Sequence, residues 1–79
     1  MEEGIKVLYV DDEPGLLEIA RLFLEQAGDF QVTTLTSAQD ALASSQIPSY
    51  DAIISDYLMP VMDGIAFLKE VRHRYGDIP

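Results

Sequence analysis

A chain of 79 residues with no cysteine is enough for one small domain, and it excludes a disulfide scaffold or a thiolate metal site. Its 14 acidic against 5 basic residues, a net charge of −9, argue against nucleic acid or an anionic membrane surface as a direct partner, since both call for basic patches. An apolar share of 48% is that of a folded chain.

The opening residues Met1-Glu2-Glu3-Gly4 lack the basic start and apolar core of a signal peptide, and no apolar run approaches the roughly 20 residues of a membrane span. A cytoplasmic location is therefore expected. The acid is uneven. Residues 1–40 hold 9 acids and 2 bases, while residues 41–79 hold 5 and 3. Acid gathered at Asp11-Asp12-Glu13 suits a cation site, although a solvated acidic face has the same composition.

In chain order, Ile5-Lys6-Val7-Leu8-Tyr9-Val10 is β-branched, apolar and too short for a helix, so it reads as a buried central strand. It stops at Asp11-Asp12-Glu13. Pro14 then fits the first turn of a helix, where its missing N–H is harmless. Leu16, Leu17, Ala20, Phe23, Leu24 and Ala27 recur at three- and four-residue spacing and give that helix an apolar face; Gly28 is its stop signal.

A second strand is expected over Phe30–Leu35. Ser37 followed by Asp40 resembles a capping box, with Asp in place of Glu. Ala38, Ala41, Leu42 and Ala43 support a short helix to about Ser45, and Pro48-Ser49 marks a loop. Ala52-Ile53-Ile54-Ser55 is a short apolar run that reads as a third strand ending on Asp56. Pro60 lies in the turn behind it, and Asp63-Gly64 opens a helix whose apolar residues are Ile65, Phe67, Leu68, Val71 and Tyr75, stopped by Gly76. Strand and helix alternate three times, which predicts an α/β fold with a parallel sheet and right-handed crossovers.

Acidic residues terminate two of these strands: Asp11-Asp12 the first, Asp56 the third. If the two strands are adjacent and parallel, three carboxylates converge at the carboxyl edge of the sheet, where ligands of open α/β sheets bind. Charges that close repel unless a cation neutralises them. Oxygen-only ligands select a hard cation, and Mg²⁺ is the usual one when phosphate is a co-ligand. A carboxylate beside Mg²⁺ can attack a phosphoryl group, with positioning and electrostatics supplying most of the catalysis.

These residues resemble the receiver domain of two-component response regulators. The likeness rests on the apolar strand ending in Asp11-Asp12, on Glu13-Pro14, on Asp56 after Ile53-Ile54-Ser55, and on the Met59-Pro60 and Asp63-Gly64 pairs. It implies a flavodoxin-like, receiver-type parallel sheet of order 2-1-3-4-5, of which this chain supplies three strands in the order 2-1-3 with three helices. It also implies a phosphoacceptor signalling module rather than an enzyme with multiple turnover. Asp56 would take a phosphoryl group from a sensor histidine kinase. Asp12 and Asp56 would bind Mg²⁺ with the backbone carbonyl of Leu58, and Asp11 would act mostly through bound water.

On the same resemblance, residues 1–79 are the N-terminal three-fifths of a receiver domain, and the chain stops where a fourth strand should begin. The family's Ser or Thr ending strand four and Lys ending strand five have no counterpart; Lys69 sits on the third helix at the wrong end of the site. The far edge of strand three should be bare, and the apolar faces of the first and third helices partly exposed. The chain is then a fragment of a longer protein, or a second copy covers the edge.

Two other functions compete. A Mg²⁺-dependent phosphohydrolase with an aspartyl-phosphate intermediate wants Asp-x-Asp after the first strand, whereas these acids are adjacent. A receiver-like interaction module without phosphorylation would keep the fold and lose the chemistry. Among the remaining residues, Asp11 and Asp12 could cap the first helix, Asp63 suits an N-cap, and His73 suits a solvated surface. Met59 and Met62 suit packing, and Lys69, Arg72 and Arg74 suit the negative end of the third helix dipole.

Overall fold

The computed structural model describes residues 4–79, and the acidic start at residues 1–3 lies outside them. The elements are β1 (Ile5–Val10), α1 (Pro14–Ala27), β2 (Phe30–Leu35), α2 (Ala38–Ala43), a 3-10 turn (Ile47–Ser49), β3 (Ala52–Ser55) and α3 (Gly64–Tyr75). The strands form one parallel sheet in the order β2-β1-β3. Ile5 to Val10 lie opposite Phe30 to Leu35, and Val7 to Val10 lie opposite Ala52 to Ser55. The sequence-based order 2-1-3 is therefore observed.

Local chemistry sets the helix ends. Pro14 opens α1, and the residue at its N-cap, Glu13, makes no side-chain cap bond. Neither Asp11 nor Asp12 serves as that N-cap. Ser37 caps α2, its Oγ accepting the Asp40 N–H at 3.1 Å. The return half of a capping box is not formed, consistent with Asp40 being one methylene shorter than the usual Glu. The helix ends at Ala43 instead of Ser45, because Ser44 turns extended, and the Pro48 segment forms a 3-10 turn rather than an irregular loop. Asp63 caps α3 through the Ala66 N–H at 2.8 Å, and Gly76 ends it with a φ of +84°.

Strand alternation gives the sheet two unlike faces. Leu8, Val10 and Ile53 point to one of them and pack with Ala38, Ala41 and Leu42 of α2, Ile47 of the 3-10 turn, and Phe67 and Val71 of α3. This is the main core, and Met59 and Met62 pack against it as expected. On the other face, Val7 and Val32 are buried, and α1 lies mainly over β2. Only Leu17 of α1 is buried, while Leu16, Ile19, Leu22 and Phe23 are exposed. On the solvent side of α1, Arg21 pairs with Glu18 and Glu25, and the hydrogen bond to Glu18, then its charge, lead the pull that holds the guanidinium pKa up.

The start of β3 is clamped to β1. Lys6 donates its N–H to the Asp51 carboxylate at 2.9 Å, and the Asp51 N–H returns to the Lys6 carbonyl at 2.7 Å. The outer edge of β3 is not wholly bare. Ile53 donates its N–H to the Pro79 carbonyl at 2.7 Å, so the run after α3 already lies along that edge.

Candidate functional site

Two main-chain bonds bring the acidic residues together beyond the ends of the strands. Asp11 donates its N–H to the Leu35 carbonyl at 3.1 Å, and Asp56 donates its N–H to the Val10 carbonyl at 2.8 Å. Each carries the parallel ladder one residue past its strand, so Asp56 stands beside the Val10–Asp11 junction. The β2-β1-β3 order makes this possible, because β1 and β3 are neighbours with aligned carboxyl ends.

As a result, Asp11, Asp12 and Asp56 each offer a carboxylate oxygen within 4.8 Å of the others. Asp11 is buried, Asp12 exposed and Asp56 half-buried, so the cluster opens to solvent on the Asp12 side. One oxygen of Asp11 accepts the Glu13 N–H at 3.0 Å, which fixes its carboxylate in the turn leading to α1. Among the described residues, no Lys, Arg or His pairs with any of the three acids. Three converging carboxylates without a cationic side chain fit a hard divalent cation such as Mg²⁺.

The segment behind Asp56 makes a tight turn. Met62 donates its N–H to the Pro60 carbonyl at 2.7 Å across Val61, whose φ is +71°. An i to i+2 bond with positive φ is the classic γ-turn, a rare and strained conformation for a β-branched residue. It turns Met59 and Met62 toward the core while Val61 stands 85% exposed and Leu58 72% exposed. A small cleft of about 150 Å³ separates this turn from Thr36, Ser37, Ala38 and Gln39 at the start of α2.

All three acids marked in the sequence therefore share one cluster. Asp63 lies at the head of α3 as a cap. His73 and Lys69 are exposed on α3, away from the acidic cluster, and line a shallow surface with Ile65, Leu68 and Arg72. Two features escape a reading by residue type. One is the γ-turn, since valine carries no signal for positive φ. The other is the contact of Gly64 with the main chain of Asp56, for which the only hint is a glycine directly after a capping aspartate.

Residues 7–79 match the sequence profile of the response regulator receiver domain. The chain belongs to that family. As a receiver it is 41% identical to the response regulator Rre1 of Synechocystis sp. over its whole length, spanning 35% of that protein. It is 31% identical to the probable C4-dicarboxylate response regulator DctR of Halalkalibacterium halodurans, spanning 34%. Among solved receivers, the chemotaxis protein CheY4 of Vibrio cholerae superposes with a TM-score of 0.85 at 40% identity, over 96% of this chain and 64% of that one. A similar fold occurs in the structure of the histidine kinase ThkA in complex with the response regulator TrrA (TM-score 0.82, 30% identity, 92% and 62% covered). This receiver chain thus spans about a third of these two curated relatives and just under two thirds of these solved structures. No helix among the described residues is long and apolar enough to cross a membrane.

Proposed function

We propose that this chain is a phosphoacceptor module of a two-component system, with Asp56 as the residue that takes the phosphoryl group. The observation that carries the reading is the meeting of Asp11, Asp12 and Asp56 within 4.8 Å at the carboxyl edge of a parallel sheet. Asp11, Asp12, Asp56 and the Leu58 carbonyl are the groups that would hold Mg²⁺. Mg²⁺ supplies charge neutralisation for the transferring phosphoryl oxygens.

The chain's own part is nucleophilic. A carboxylate oxygen of Asp56 forms a bond to phosphorus as the phosphorus–nitrogen bond of a kinase phosphohistidine breaks. The leaving imidazole keeps the electron pair and takes up a proton. The product is an acyl phosphate on Asp56. The Asp56 N–H, committed to the Val10 carbonyl, holds the nucleophile at the sheet edge, and the Asp11–Glu13 bond fixes a second carboxylate beside it. A sensor histidine kinase is the proposed donor; the kinase–regulator pair ThkA–TrrA, whose regulator is similar in fold, supports the choice. Work in the cytoplasm and a regulatory role without multiple turnover belong to the same proposal.

Residues 1–79 are, on this reading, the N-terminal three-fifths of a receiver domain. The exposed apolar residues of α1 and α3 support it, as does the start of pairing between Pro79 and the β3 edge. Where no further chain covers the outer edge of β3, a second copy does. Size-exclusion chromatography with light scattering tests this, and a stable, soluble monomer of the 79-residue chain overturns it.

The chemistry is tested by incubating the chain with Mg²⁺ and acetyl phosphate and weighing the intact protein. A labile phosphate adduct that Asp56→Asn abolishes is the expected result, weak in the 79-residue chain and clear in a full-length parent. Sustained phosphate release would instead mark a phosphohydrolase, and a folded chain without adduct an interaction module.

A further inference from the structure

Gly64 is the first residue of α3 and is buried against the end of β3. Its N–H donates to the Tyr57 carbonyl at 3.0 Å. A methyl group added to it would stand 2.1 Å from the main-chain oxygen of Asp56, 3.0 Å from its carbonyl carbon and 3.1 Å from the Tyr57 Cα. All three are backbone atoms, so none can swing aside as the tip of a side chain would. Since a carbon–oxygen contact settles at roughly 3.3 Å, the gap would have to open by about an ångström.

That displacement has little room to dissipate. Asp56 is tied to β1 through its N–H on the Val10 carbonyl, and its own carbonyl accepts the Ser55 hydroxyl at 3.1 Å. Its main chain is therefore wedged between β1 on one side and the head of α3 on the other. A plain helix-start role does not require this glycine. Asp63 already caps the helix, and alanine has the higher helix propensity.

We propose that Gly64 is a positioning residue. Its bare Cα lets α3 seat directly on the Asp56 main chain, and this contact sets how far the Asp56 carboxylate stands from Asp11 and Asp12. The functional half of the inference rests on the phosphoacceptor reading above; the geometric half does not.

The test uses the full chain with isotope-labelled amides and Gly64→Ala. The substituted chain should keep its helical circular dichroism, move the Asp56 and Tyr57 amide resonances, and leave those of β2 in place. Its Mg²⁺ affinity should fall by about tenfold or more, as when the support behind a metal ligand is lost. Asp63→Ala removes the cap of the same turn without adding an atom near Asp56, and should leave that affinity unchanged. Unmoved Asp56 and Tyr57 resonances overturn the inference, and so does an unchanged Mg²⁺ affinity in Gly64→Ala. If the unsubstituted chain takes up no Mg²⁺, the reading of the acidic cluster falls, while the resonance shifts still decide the positioning. If Gly64→Ala does not fold, a Mg²⁺ titration of the unsubstituted chain decides. The Gly64 amide, which carries no ligand atom, should then move with the same midpoint as Asp12 and Asp56, and a fixed Gly64 resonance overturns the inference.

Discussion

On one face of the sheet, Leu8, Val10 and Ile53 are covered by α2, the 3-10 turn and α3 together. On the other, Val7, Tyr9, Val32 and Ile54 share a single helix, α1, and that helix sits mainly over β2. The first face closes to a core in which Phe67 is fully buried; the second leaves Phe23 70% exposed. α1 is the more apolar of the two long helices, with 8 apolar residues of 14 against 6 of 12 in α3, so composition does not explain the contrast. The number of elements that can reach each strand does. The acidic cluster lies at the carboxyl edge of the sheet, positioned by β1, β3 and the head of α3.

Substitutions can sharpen or break this contrast. Phe67→Ala should have the largest effect, about 3–5 kcal/mol, a large part of what holds so small a domain together. Urea unfolding followed by circular dichroism measures it, and a loss near that of a surface substitution would erase the distinction between the faces. Next comes the cation. Mg²⁺ at a hundred times its dissociation constant should stabilise the chain by about 2.7 kcal/mol, visible as a rise in Tm, and Asp12→Asn should reduce the rise sharply. An equal rise in both would remove the acidic cluster as the binding site.

Removing the α3 cap with Asp63→Ala should cost about 1 kcal/mol in the same urea experiment. The smallest effect belongs to the open face. Phe23→Ser should change the stability of the monomer by no more than about 0.5 kcal/mol. A much larger loss would mean that α1 is covered in solution, and the contrast between the faces would then describe one chain alone.

Much of this architecture is legible in the residues. Two of the three strands end where an apolar run meets an acid, β1 at Asp11 and β3 at Asp56, so their ends can be read from the residues. Asp11, Asp12 and Asp56 can be read as a group because alternation predicts a parallel sheet, and the resemblance to receiver domains supplies the order that brings their ends together. Less legible was anything set by close approach. The need for glycine at position 64 arises from the Asp56 carbonyl, which is remote from any local pattern. The left-handed Val61 contradicts its own propensity and is held by the Met62–Pro60 bond and by two methionines anchored in the core. The end of α2 moved two residues because Ser44 favoured an extended exit over one more helical turn.

The clamp between Lys6 and Asp51 joins residues 45 positions apart. During synthesis the central strand is made first and its second neighbour last. β1 therefore leaves the ribosome as an apolar ribbon whose β3 edge stays open until nearly two thirds of these residues have been added. Pairing at that distance is slow, and exposed apolar edges invite association with other nascent chains. Until β3 is made, the strand that holds the native sheet together is its main point of exposure to misassembly.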